Sequence, residues 1–123
     1  MRFLGMLVAL VAVVVGSGFA VVNNDVAKKE DPKSIEDIMK EGMKGGLSKK
    51  VASGEATDEE KLQMLSLLVD LVENDAPKGD EMEWKMMAGT AMMNAAKVVL
   101  GRDGAEESFK ASIDCKACHD KFK

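Results

Sequence analysis

Tyrosine is absent from this 123-residue chain, and the remaining aromatics are four Phe and one Trp, 4% in all. A surface that stacks bases needs aromatic faces beside positive charge. Here 17 Lys and Arg stand against 21 Asp and Glu, a formal −4, so nucleic acid is not an expected partner. The sequence has no Gly-rich phosphate loop, and with His119 as its only histidine it holds no Ser/His/Asp set and no second metal cluster. Proline occurs only at Pro32 and Pro77, both beside turn chemistry, and cysteine only at Cys115 and Cys118.

Those two cysteines are spaced for a purpose. Cys115-Lys116-Ala117-Cys118-His119 is a C-x-x-C-H motif, the spacing at which a chain takes haem covalently. On a helix the three functional side chains fall at i, i+3 and i+4 and leave one face about a turn apart. Two thiols there can add to the haem vinyl groups as thioethers, with the neighbouring imidazole as proximal iron ligand. Zinc is a weaker reading, because a structural site takes four protein ligands and the set would need Asp114 or Asp120 to extend it. A thioredoxin-like dithiol is weaker still. Its C-x-x-C belongs at the start of a helix, and this motif is expected late in a periodic segment.

At the other end, Arg2 precedes an uncharged run from Phe3 to Val15, followed by Gly16-Ser17-Gly18-Phe19-Ala20 with small residues at −3 and −1 of a cut after Ala20. Residues 1–20 read as a secretory signal peptide, and an uncleaved stretch from Phe3 to Val22 is just long enough to anchor the chain in a bilayer. A periplasmic or otherwise exported location is expected. Residues 21–33 read as a flexible polar linker and 34–123 as one domain, about the size that supports a single core.

Within that domain the periodicity is helical throughout. A first helix is expected from an N-cap at Ser34 to about Ala52, with Ile35, Ile38, Met39, Gly42, Met43, Gly46 and Leu47 along one side and Ser53-Gly54 as its stop. Thr57-x-x-Glu60 is a capping box for a second helix carrying Leu62, Leu65, Leu68, Val69 and Val72. Asp80 with Glu83 opens a third, Met82 to about Leu100, whose inner face includes Trp84, Met87, Ala88, Ala91, Met92, Ala95 and Val99. Asp103 with Glu106 opens a fourth that carries Phe109, Ile113, Ala117 and the haem motif. Four amphipathic helices with short connections predict an all-α fold, an antiparallel four-helix bundle with covalently bound haem.

The segment Cys115-Lys116-Ala117-Cys118-His119-Asp120-Lys121-Phe122-Lys123 at the end of such a bundle resembles cytochrome c-prime and its low-spin relatives of the cytochrome c556 type. In that family the motif runs on as C-x-x-C-H-x-x-aromatic-basic, matched here by Phe122 and Lys123. One place departs: family members carry a basic residue early in the first helix beside a haem propionate, where this chain reads Ile35-Glu36-Asp37-Ile38. The resemblance implies one haem c, with Cys115 and Cys118 as thioether anchors and His119 as proximal ligand. The first helix then decides the iron's far side. Met39 and Met43, four apart, are the candidates, though a methionine stripe is also common core filling. Met43 is the first choice and Met39 the second, because Gly42, Gly45 and Gly46 leave room for a haem plane to approach the backbone, unless they simply kink or end the helix.

A thioether ligand favours reduced, low-spin iron and makes the expected function single-electron transport between redox partner proteins. If both methionines only pack, the alternative is a five-coordinate binder of NO or CO. No enzyme activity is expected, since no distal His or Arg is available to cleave an O–O bond. Trp84 is read as core rather than haem-stacking. Lys110, Lys116, Lys121 and Lys123 form a basic patch around the haem-bearing end, read as a solvated face more than as a guide for acidic partners. The resemblance also implies a homodimer through the first two helices.

Overall fold

The computed structural model describes residues 31–123, and every regular element among them is helical. The expected signal peptide, and the linker up to residue 30, lie outside the described residues. None of the described helices is long and apolar enough to cross a membrane. The chain is already tied down at Lys33, whose backbone N–H donates to Asp70 and whose carbonyl accepts from the Asn74 amide at 2.8 Å.

Two long helices form the frame. The capping box starts α3 (Asp58–Glu73): the Thr57 hydroxyl accepts from Glu60 N–H while the Glu60 carboxylate accepts from Thr57 N–H, both at 3.2 Å. Asp80 accepts from Glu83 N–H to start α4 (Glu81–Val99). α3 and α4 share the largest interface among the described elements. Met64, Leu67, Leu68 and Leu71 of α3 are buried, as are Trp84, Ala88, Ala91, Ala95 and Val98 of α4. The stripe on α3 is thus rotated from the expected one, leaving Leu62 in solvent, because α3 is packed by the helical pieces Ile35–Ile38 and Leu47–Ser53 as well as by α4. Trp84 is a core residue: its indole N–H donates to the Asn74 carbonyl at 2.9 Å and its ring meets Phe122 edge-on, centroids 5.3 Å apart.

The other two expected helices are interrupted. The first begins at Ser34, whose hydroxyl caps Asp37 N–H, and runs as α1 (Ile35–Ile38) into a π-helical turn, Met39–Lys44. There Gly45 N–H reaches back five residues to the Lys40 carbonyl, and Gly46, at φ 82°, ends the run before α2 (Leu47–Ser53). A residue with φ in that region favours glycine, so the pair that was expected to lie within one continuous helix breaks it instead. Gly54 closes α2 in a Schellman motif, with Glu55 N–H on Lys50 O and Gly54 N–H on Val51 O, and Gly101 closes α4 in the same way.

The expected fourth helix divides too. Asp103 does not cap it; Gly104, at φ 72°, leads into α5 (Ala105–Ser112) with no side-chain cap. The helix then stops at Ile113, and Asp114 starts a separate α6 (Cys115–Phe122), accepting from Ala117 N–H at 3.0 Å. The i, i+4 series Phe109, Ile113, Ala117 hides this break, since an apolar residue every four positions reads the same on both sides of it.

Candidate functional site

The three residues of the motif stand on the first and second turns of α6. Cys115 and His119 are exposed, and Cys118 is half-buried and packed against the core. The expectation that the cysteines lie late in a helix is therefore corrected: Cys115 is the first residue of one. A helix N-terminus ordinarily lowers a thiol pKa, but here the cap is the carboxylate of Asp114. Burial pushes the Cys118 thiol up, and the neighbouring Cys115 adds to the effect. This is the reverse of what a dithiol nucleophile needs. Nor do the described residues hold any group of three or more His, Cys, Asp and Glu side chains arranged to take a bare metal ion.

Two clefts, both open to solvent, share Cys118 and His119 in their walls. The first, about 80 Å³, is walled by Met39, Met43, Leu71, Met87, Cys115 and His119. The second, about 610 Å³, includes Met39, Met43, Trp84, His119, Phe122 and Lys44. Met39, Met43, Cys118 and His119 border both. The structure thus brings together all five residues singled out from the sequence: two thiols and an imidazole on α6, two thioethers on the π-helical turn opposite. Met39 and Met43 remain equivalent in this respect, since both line both clefts. The turn that carries them is of a rare type that is frequently found at functional sites.

The glycines near these methionines have other roles than the one expected. A Cβ on Gly42 would meet Leu67 Cδ1 and Met64 Cε at 3.3 Å each, so this glycine lets the π-helical turn lie close on α3. Gly45 and Gly46 terminate the turn.

The charged rim also differs. Of the expected patch, only Lys123 lines a cleft; Lys121 pairs loosely with Glu83 at 3.7 Å. Lys40, Lys44 and Lys78 join Lys123 at the mouth of the larger cleft. Lys40 is held by Glu36 at 2.9 Å, whereas Lys44, Lys78 and Lys123 make no ion pair among the described residues. The stretch Ile35–Ile38 holds no basic residue, but Lys40 and Lys44 each follow a candidate methionine by one position, a signal legible in the sequence, and flank the same face at i, i+4 spacing.

No family model, no curated protein and no solved structure matches this chain.

Proposed function

We propose that this chain is an exported monohaem c-type cytochrome of the four-helix-bundle kind, similar to cytochrome c-prime and cytochrome c556, that carries single electrons. One observation supports the reading above the rest. The C-x-x-C-H residues Cys115, Cys118 and His119 of α6 line the same apolar cleft as the thioethers of Met39 and Met43. The bundle, on this reading, is α1 with the π-helical turn and α2, then α3, then α4, then α5 with α6.

The residues present fit the group. Cys115 and Cys118 would anchor it, and His119 would give an imidazole nitrogen to the iron. Haem bound here would supply a one-electron iron couple. Met43, or Met39 one turn earlier, would offer a thioether sulfur to the iron. Leu68, Leu71 and Met87 line the smaller cleft with apolar surface, which would keep water from such a group and favour its less charged state. Lys44, Lys78 and Lys123 offer ammonium groups to carboxylates at the open mouth, which compensates for the missing basic residue at Glu36-Asp37.

Absorption spectra of the purified protein, oxidised and reduced, with and without CO, test this. A carrier is six-coordinate and low-spin and takes CO slowly, and Met43→Ala converts it to a high-spin form that binds CO. A change on Met39→Ala alone moves the ligand by one turn. A protein that is high-spin and binds CO before any substitution is the gas binder, in which the two methionines only line the pocket. A colourless protein with both thiols unmodified by mass overturns both readings.

A further inference from the structure

The face of α4 opposite the core is apolar and bare. Met82, Met86, Met93 and Leu100 are 71%, 66%, 59% and 66% exposed. With Gly89 and Ala96 they fall at successive spacings of four, three, four, three and four, the repeat of a helix–helix seam. The seam is about 27 Å long at 1.5 Å per residue. Trp84, Ala88, Ala91, Ala95 and Val98 face the opposite way into the core, so no other described element packs on this stripe.

We propose that the α4 seam pairs with the same seam of a second copy of this chain, antiparallel, about a two-fold axis passing beside Ala91. The order of side-chain sizes carries the proposal. Under that symmetry Met86 meets the partner's Ala96, Met93 meets the partner's Gly89, and Met82 meets the partner's Leu100. Each inner bulky residue lands on a small one, and all six positions pair within one register, as an isologous interface requires. A Cβ on Gly89 would touch nothing within 4 Å, so the space above it belongs to no residue of its own domain.

Charge selects the same arrangement. Glu83, Thr90 and Lys97 flank one side of the seam. In the antiparallel pair this flank faces its own copy, bringing Glu83, which within its own chain stands 3.7 Å from Lys121, to the partner's Lys97 twice and Thr90 to the partner's Thr90. A parallel pair would set Lys85 beside Thr90 and Met92 beside Lys97, with no opposite charges, and would stack Met86 on Met86 and Gly89 on Gly89. The dimer uses a different surface from the first two helices, and it leaves the cleft between α6 and the π-helical turn open.

Sedimentation equilibrium of the exported protein over a concentration series tests the proposal, with circular dichroism to verify that each variant is folded. The wild type is expected to dimerise reversibly. Gly89→Leu is the discriminating change: it fills the hole that receives the partner's Met93 and should weaken the dimer about tenfold, whereas a merely sticky apolar stripe would associate more tightly with an added leucine. Glu83→Lys and Lys97→Glu should each weaken it several-fold, and the double variant should restore it. A protein that is monomeric at every concentration, with its seam bare or covered by another segment, overturns the proposal. So does tighter association of Gly89→Leu, or failure of the double charge reversal to recover what each single reversal lost.

Discussion

α3 and α4 are unbroken helices of 16 and 19 residues, each started by a side-chain cap, and they make no contribution to the proposed iron ligands. The first and last quarters of the domain are broken helices, and they hold every one of those ligands. The difference separates two tasks. A long helix with a wide apolar face gains its stability from packing, and α3 and α4 supply the buried Leu, Met, Ala and Trp that make a core. A site that must present a sulfur and an imidazole across a gap needs short pieces aimed independently. The breaks at Gly45-Gly46 and at Ile113-Asp114 give that freedom without disturbing the frame.

The largest expected effect falls on the frame. Trp84→Ala removes a ring that is 3% exposed, its hydrogen bond to Asn74 and its edge contact with Phe122. A loss of about 3–5 kcal/mol is comparable to the whole stability of a small domain, and thermal denaturation followed by circular dichroism should show one cooperative transition at much lower temperature. Gly79→Ala acts where frame and site meet. Gly79 sits at φ 83° and an added Cβ would stand 3.1 Å from the Lys121 carbonyl. A cost of about 1–3 kcal/mol is expected, read as early hydrogen exchange in α6 with α3 and α4 still protected.

Asp114→Ala removes only the cap of α6, about 1 kcal/mol, and should loosen Ala117 and Cys118 amides while the global transition hardly moves. If that variant lowers the protection of α3 and α4 as much as that of α6, the division between frame and site is wrong. The smallest effect concerns the thiols before any group is attached. Exposed Cys115 should be alkylated first, and the rate at Cys118 should rise only at higher pH, since burial favours its neutral form. A raised folded pKa stabilises the fold fully below the unfolded thiol pKa, and the contribution fades as pH climbs through the folded value. Peptide mass mapping of the alkylated protein against pH measures both.

The sequence declares most clearly what is local and single-valued. Thr57 with Glu60, Asp80 with Glu83, and the glycines at 54 and 101 each have one good conformational use, and each has it in the structure. The C-x-x-C-H spacing likewise led to the face that borders the cleft. Gly42, Gly45 and Gly46 were ambiguous because a missing Cβ serves close packing, a left-handed turn or an approaching ligand equally well. Only the neighbours decide, and for Gly42 they are Met64 and Leu67, more than twenty residues away in the chain. The buried face of α3 was misjudged for a related reason: apolar residues cover more than half its circumference, so the partners choose which row faces inward. The start of α6 was masked by an apolar series that continues across Asp114.

The hinge-like stop at Ile113 bears on how a bulky flat molecule could ever be installed. Phe122 is the only fully sheltered residue of α6, and the helix satisfies its own amides from Asp114 onward. Swinging it outward would break the Trp84–Phe122 contact, the loose Lys121–Glu83 pair and the packing of Cys118 and Gly79, while the paired long helices keep their ladders intact. Insertion could then follow folding of everything else, and closing the last segment over the guest would be the step that seals it in.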